Sequence, residues 1–182
     1  MNQSSEITDS SSSHGLRTET TAVNESVRFD SLEQEAWLNL WRTYDRLRAL
    51  EDEVFGPRGL TSQQYNVLRL LAAYHPTPMP TLGIADRMIS KAPDITRMLD
   101  RLESATWILR TRPSENRRQV LINITTAGLQ LLTEIAGPLQ RCHSKQLGHL
   151  SALDLKQLVS LLGLARVPHE QDSNPWSKLS ER

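Results

Sequence analysis

The side chains with the most suitable spacing for chemistry lie in one basic segment, residues 86–118. This segment has eight Lys or Arg residues and five Asp or Glu residues, a net charge of +3, whereas residues 1–30 have two basic and five acidic residues, a net charge of −3. The chain as a whole is neutral because the acidic region offsets the basic one. A basic segment is suited to a polyanion such as nucleic acid, although on charge alone a solvated surface is an equally good interpretation.

One predicted helix carries many of these side chains. From about Lys91 to Ser104, Ile95, Leu99 and Leu102 recur at helical spacing, and the opposite face is polar. Because the major groove of B-DNA admits one α-helix, this polar face is suited to contact bases and phosphates. Its candidate DNA-binding residues are Lys91, Asp94, Thr96, Arg97 and Arg101.

A hairpin predicted over residues 107–125 supplies the other charges. Its first strand is apolar, Pro113–Asn116 has turn chemistry, and its second strand alternates in polarity. Arg117 and Arg118 stand beside the turn, where folding gives them no evident role. Arginine is well suited to a narrow minor groove, so this pair predicts a second contact with duplex DNA.

The elements that position these residues follow the order of a winged helix-turn-helix. A short helix capped by Thr81, a turn, the helix from Lys91 and the hairpin succeed one another. A long amphipathic helix and a second helix capped by Thr61 come before them, and helices starting at Thr125 and Ser151 come after. The predicted fold is mainly α with a small β-hairpin wing (α+β).

Five segments of the sequence stand in a fixed order: Leu60-Thr-Ser-Gln-Gln-Tyr65, Ile84-Ala-Asp-Arg-Met88, Asp94-Ile-Thr-Arg-Met-Leu-Asp-Arg-Leu-Glu103, Asn116-Arg-Arg118 and Ile124-Thr-Thr-Ala-Gly128. Together they resemble the MarR family of bacterial transcriptional regulators over residues 31–165. The resemblance implies an obligate homodimer whose first and last two helices interlock, with two winged modules reading a palindromic site. It also implies that Asp94, Thr96 and Arg97 meet bases and phosphates, and that Arg118 is the wing-tip arginine.

Two residues depart from the family's pattern. Asn116 stands where the family usually has an aspartate that orients the wing arginine, and because Asn lacks the charge we expect a less rigid wing. Thr106 stands where the family commonly has glycine, and because threonine is costly at positive φ we expect the junction there to be built differently.

The predicted function is that of a sequence-specific regulator that binds double-stranded DNA, most simply a ligand-responsive homodimeric repressor with a palindromic operator. We expect it in the cytoplasm, with DNA, a second copy and a small aromatic or other effector as partners, and without a cofactor, a metal or a membrane. The predicted organisation is a disordered tail over 1–28, a dimerisation helix over 29–58, the winged helix-turn-helix over 59–125, dimerisation helices over 126–166 and a flexible tail over 167–182. The predicted dimerisation residues are Trp37, Leu40, Trp41, Leu155, Leu158 and Leu162.

Other interpretations remain open at this point. Trp37, Trp41 and Tyr44 form an aromatic stripe that suits a core or an interface and, less commonly, an effector pocket. Cys142, near His143 and His149, suits core packing better than a thiol sensor or a metal site. A helical protein-interaction adaptor that has lost DNA binding is the competing function, motivated by Asn116 and by the neutral charge. No sequence pattern of a catalytic site is found, so an enzyme is not predicted.

Overall fold

Six helices and a three-stranded sheet form the part of the chain that the computed structural model describes, residues 29–89 and 94–170. The mainly α fold with a small wing is therefore confirmed. The tail predicted over 1–28 lies outside the described residues, as do residues 171–182 of the tail predicted over 167–182, whose first three residues form a 3₁₀ turn. The helices are α1 Leu32–Phe55, α2 Ser62–Tyr74, α3 Thr81–Ala85, α4 Ile95–Ser104, α5 Thr126–Leu147 and α6 Ala152–Arg166. The strands are β1 Met79–Pro80, β2 Ile108–Thr111 and β3 Leu121–Ile124, and 3₁₀ turns span Gly56–Arg58 and Val167–His169.

The chain divides into two compact units, residues 1–38 and 39–182. In the first unit, the described residues include the start of α1, where the Ser31 hydroxyl accepts a 3.2 Å hydrogen bond from the amide of Gln34. The Gln34 side chain in turn contacts Asp30, accepting from its amide at 2.7 Å and donating to its carboxylate at 2.9 Å. These bonds satisfy amide groups that have no partner within the helix. All later elements belong to the second unit.

Side-chain caps begin two helices of the second unit at the predicted positions. Thr61 and Gln64 form a reciprocal capping box at α2, as Ser151 and Asp154 do at α6. At α3 the prediction was wrong by one residue, because Pro80 is the cap and Thr81 is the first helical residue. The Thr81 amide is instead engaged across the sheet with the carbonyl of Val120, at 3.2 Å.

The sheet has the order β1-β3-β2, with both pairs antiparallel. β2 and β3 are the two predicted hairpin strands, in a register that pairs Ile108 with Ile124. β1 was not predicted, since three prolines within residues 76–80 indicate only a turn. Its two residues suffice to pair with β3 and to bury Met79, because the proline falls at a sheet edge.

One hydrophobic core lies under the winged module and α5. Met98, Leu99 and Leu102 are the buried side chains of α4, whereas Ile95, predicted to point inward, is only half buried because it occupies the first helical position. Cys142 is buried within the same core, as predicted from its spacing to Leu139. Within the described residues, no helix is long and apolar enough to span a membrane.

Candidate nucleic-acid interface

The start of α4 is fixed by Asp94. One carboxylate oxygen accepts a 2.9 Å hydrogen bond from the backbone amide of Arg97, and the other lies 3.7 Å from the guanidinium Nε of the same residue. Asp94 is therefore the cap of α4 and lies before the helix, whereas the sequence placed it on the polar face. The other predicted contact at this end, Lys91, lies outside the described residues.

Thr96, Arg97 and Arg101 are exposed on α4, as the sequence predicts. Arg97 and Arg101 are four residues apart and share one helix face. The Arg97 side chain is 74% exposed even with Asp94 beside it. An exposed pair of this kind contributes on the order of 1 kcal/mol or less, so it orients the guanidinium without withdrawing it from solvent. This face offers cationic and hydrogen-bonding groups to a partner.

The wing loop, residues 112–120, presents Arg112, Arg117 and Arg118 to solvent. Two backbone hydrogen bonds shape the loop, from the Asn116 amide to Pro113 at 3.2 Å and from the Gln119 amide to Asn116 at 3.0 Å. Among the described residues, no hydrogen bond joins the Asn116 side chain to Arg118, and neither Arg117 nor Arg118 forms an ion pair. We expected Asn116 to orient the wing arginine less firmly than an aspartate would. In the described residues, its side chain makes no hydrogen bond to Arg118 at all.

A different arginine joins the wing to α4. Arg110 on β2 places one guanidinium nitrogen 2.6 Å from the Asp100 carboxylate and Nε 3.4 Å from the Glu103 carboxylate. A third nitrogen donates a 3.2 Å hydrogen bond to the backbone carbonyl of Thr96. The Arg110 side chain is only 22% exposed. Asp100 and Glu103, the acidic side chains of α4, are therefore both paired with the wing strand.

Above this contact, a cleft of about 550 Å³ separates α4 from the wing. It is lined by Thr96 of α4 and by Arg112, Asn116 and Arg118 of the wing. Between the base of β2 and the tip of the loop, α4 and the wing are thus apart.

The junction between α4 and β2 passes through Thr106, which has φ = 63°. The amide of Thr106 donates to Glu103 at 2.8 Å and that of Trp107 donates to Leu102 at 3.0 Å, the two bonds of a Schellman motif. We expected a differently built junction because threonine is costly at positive φ. That expectation was wrong, since the left-handed residue is kept despite its branched side chain.

Gly128 seats α5 against the same junction. A Cβ built on it would collide with the carbonyl oxygen of Trp107 and lie 2.7 Å from Ile124. The Thr125 hydroxyl caps α5 by accepting from the Gly128 amide at 3.1 Å. The threonine and the glycine separated by two residues, part of the family resemblance, thus cap a helix and permit a close backbone approach.

The remaining sequence candidates belong to other elements of the chain. His143 faces Glu51 at 3.7 Å, and the described residues contain no cluster of His, Cys, Asp and Glu side chains that could hold a metal ion. Burial, with a smaller contribution from Glu51, raises the pKa of the Cys142 thiol and so disfavours the reactive thiolate. Trp37, Trp41 and Tyr44 are exposed, so they are not core residues of a single chain.

In the sequence, Arg110 counted only as one of eight basic residues, and its contact with α4 was not predicted. The sequence nevertheless contained a signal for this contact. Ile108 and Arg110 are two residues apart on a strand and therefore lie on the same face, so a strand that buries Ile108 also turns Arg110 inward. Asp100 and Glu103 supply acidic groups one helical turn apart on α4.

Comparison with known proteins places this geometry among transcription regulators. The model of the MarR family matches residues 60–120, from just before α2 to the end of the wing. The HTH-type transcriptional regulator FarR of Neisseria gonorrhoeae is 30% identical over 112 residues, which cover 60% of this chain and 75% of FarR.

Solved structures have the same fold. The MarR transcription factor from Planctomyces limnophilus is 55% identical and superposes with a TM-score of 0.60, over 75% of this chain and 99% of that one. A mutant MarR from E. coli, crystallised in complex with operator DNA, is 23% identical with a TM-score of 0.65, over 74% of this chain and 98% of that one.

Proposed function

This chain belongs to the MarR family of transcriptional regulators, which are DNA-binding proteins and not enzymes, and on that premise we propose that it is a ligand-responsive homodimeric repressor of a palindromic operator. The observation that carries the proposal is the charge arrangement of the winged module. The arginines of α4 and the wing tip face solvent, whereas Asp100 and Glu103 face Arg110. Such a dimer, acting in the cytoplasm, would block a promoter until an effector binds.

In the proposed complex, α4 lies in a major groove and the wing reaches the adjacent minor groove. Thr96 and Arg97 meet base edges, while Lys91 and Arg101 contact phosphates. Arg117 and Arg118 approach the minor groove. Both oxygens of Asp94 are engaged by Arg97, so we propose that Asp94 orients Arg97 and does not contact a base directly.

A second copy of the chain is proposed because one copy leaves large apolar faces uncovered. No residue of α6 is buried within a single chain, and Leu153, Val159, Leu161 and Leu164 each expose 60–67% of their surface. Contiguous apolar faces of this kind are usually covered by another protein. A two-fold pair also presents two identical heads, as a palindrome requires, with recognition helices about 34 Å apart. The proposed interface consists of Trp37, Leu40, Trp41, Leu155, Leu158 and Leu162, together with the exposed residues of α6.

The effector is assigned to a groove of about 600 Å³ in the second unit, between α1, α2 and α5. Tyr44 and Tyr65 supply aromatic surface, and the Arg69 guanidinium lies 6.0 Å from the centre of the Tyr65 ring. An aromatic ligand suits this lining. Because the groove joins α1 to the first helix of the winged module, a ligand that fits another spacing of the heads lowers DNA affinity by that difference in its binding free energy.

The direct test is selection of bound duplexes from random or genomic DNA, followed by titration of the selected duplex at several salt concentrations. We expect the log–log salt slope to be about −0.9 per phosphate neutralised. Arg97→Ala and Arg118→Ala should each weaken binding by roughly tenfold or more, whereas Arg141→Ala, an exposed arginine on α5, should not. A slope near zero would overturn the proposal and favour the adaptor.

The dimer is tested separately by sedimentation equilibrium. Leu161→Glu places a charge on the uncovered face of α6 and should give monomers that no longer retain the selected duplex. Leu109→Glu makes the same change at an exposed leucine of β2, outside the proposed interface, and should leave the dimer intact. A Leu161→Glu variant that remains dimeric would remove α6 from the interface.

A further inference from the structure

We propose that Arg110 is a positioning residue for DNA reading, which aligns the wing with α4 so that the two enter neighbouring grooves as one body. This inference rests on the proposed function. Arg110 itself does not contact DNA in this proposal, because its guanidinium is bound to α4.

One hydrogen bond and two ion pairs tie the guanidinium to α4, and Nε itself makes no hydrogen bond. Each of its three nitrogens meets a different residue of α4: the Asp100 carboxylate at 2.6 Å, the Glu103 carboxylate at 3.4 Å and the Thr96 carbonyl at 3.2 Å. These residues are spaced i, i+4 and i+7, so they form one stripe along the helix. Two nitrogens of the planar fork, Nη1 on Asp100 and Nη2 on Thr96, fix both the distance and the rotation between strand and helix, which a single ammonium cannot do.

The same contacts decide which charges face DNA. Arg97 and Arg101 each follow a residue of this stripe by one position, so they lie on the neighbouring face of α4, about 60° and about 100° around the helix from Asp100. Asp100 and Glu103 remain partly exposed, at 55% and 41%. Without Arg110, two unneutralised carboxylates would lie beside the face of α4 that carries Arg97 and Arg101, and they would repel phosphates.

The pairing of β1 with β3 holds the far side of the wing, whereas Arg110 supplies the hydrogen bond and the ion pairs that join β2 to α4. The cleft of about 550 Å³ separates the loop from α4, and Asn116 makes no side-chain hydrogen bond to Arg118 among the described residues. The loop follows from β2, so the angle of β2 on α4 determines where Arg118 points. Arg110 is the side chain that fixes that angle from within the strand.

The experiment compares Arg110→Gln with Arg112→Gln in the full chain, on the selected duplex and on a shuffled duplex. Arg112 is exposed two residues along the chain, so its variant is a matched loss of one positive charge. We expect Arg112→Gln to weaken binding to both duplexes and to reduce the salt slope by about one phosphate. Arg110→Gln should instead lower the ratio of specific to non-specific affinity on the order of tenfold and should abolish protection of the minor groove in hydroxyl-radical footprints, with major-groove protection retained.

A paired variant keeps the test decisive if Arg110→Gln folds poorly. Asp100→Ala with Glu103→Ala removes both side-chain partners of Arg110 and also two negative charges. If Arg110 only neutralises charge, this variant binds both duplexes more tightly and keeps its minor-groove footprint. If Arg110 positions the wing, the specificity ratio falls and that footprint fades even though non-specific affinity rises.

The outcomes separate the two proposals. A wild-type chain that binds neither duplex overturns the proposed function and this inference with it. A wild-type chain that discriminates, together with an Arg110→Gln variant that keeps the specificity ratio and the minor-groove footprint, overturns the positioning role alone.

Discussion

The hydroxyl of Thr125 donates a 2.7 Å hydrogen bond to the carbonyl oxygen of Thr106, which ties the end of α4 to the start of α5. Thr106 is the one non-glycine residue with positive φ in the described ranges. An L-residue in this conformation costs about 1–2 kcal/mol, and a branched side chain is particularly unfavourable there. The junction therefore holds strain that the surrounding hydrogen bonds maintain.

Replacing Thr106 with glycine is expected to stabilise the protein. Glycine removes the conformational penalty but adds entropy to the unfolded chain, so we expect a net gain of about 0.5–1 kcal/mol in the free energy of unfolding. Urea denaturation at a fixed protein concentration measures it. Thr106→Ala, which loses the branch but keeps the Cβ, should fall between the two. A glycine variant less stable than wild type would show that no strain is released.

Gly128→Ala is expected to have the opposite effect. The added Cβ would overlap the carbonyl of Trp107, which is backbone and cannot rotate away, so we expect a loss of about 2–3 kcal/mol. Gly56→Ala is the matched control, because nothing lies within 4 Å of a Cβ at that position. Thermal denaturation of both variants tests the comparison, and equal melting temperatures would contradict the close approach.

Local signals in the sequence were sufficient to predict most of the architecture. Capping boxes such as Thr61 with Gln64 act between residues three apart, so their geometry is contained in the spacing. The apolar stripe of α4 and the alternation of β3 are likewise local. The two-residue strand at Met79 was not predictable in this way, because only its pairing with β3 makes it a strand.

The arrangement of side chains in the candidate interface was harder to predict, because it depends on contacts between residues of different elements. Arg110 and Asp100 are ten residues apart, and a count of charges cannot show that they neutralise each other. From its position in the helical repeat, Asp94 was assigned to the polar face of the predicted helix. Its cap geometry places it before α4 instead. The exposed positions of Thr96 and Arg97 were predicted, since they follow from helical periodicity alone.

The thiol of Cys142 is expected to react slowly. Burial first, and then Glu51, raise its pKa above the ordinary value of 9.0, so little thiolate exists at neutral pH. Because the folded pKa exceeds the unfolded one, this group's contribution to stability is complete below pH ~9 and is lost as the pH rises above it. Burial also raises the pKa of Tyr65, from 10.0, so that group titrates later.

Two measurements check Cys142. Iodoacetamide should alkylate the native protein far more slowly than it alkylates the protein in urea. Between pH ~8 and ~10, Cys142→Ala should lose less stability than wild type. A native thiol that reacts as fast as the unfolded one, or unchanged pH dependence in the variant, would contradict the protected thiol and revive the sensor hypothesis.

Variants of Asp94 distinguish its structural role as the cap of α4 from a direct role in base recognition. Asn keeps an oxygen that can accept the hydrogen bond from the Arg97 amide but lacks the charge that holds the Arg97 guanidinium, whereas Ala removes both. We therefore expect Asp94→Asn to match wild type within about 0.5 kcal/mol and Asp94→Ala to lose about 1 kcal/mol, measured by urea denaturation. Because the charge on Asp94 orients Arg97, both variants should relax base preference at the position that Arg97→Ala relaxes, as measured by repeating the duplex selection. A new preference at a different base pair would show instead that Asp94 contacts DNA directly.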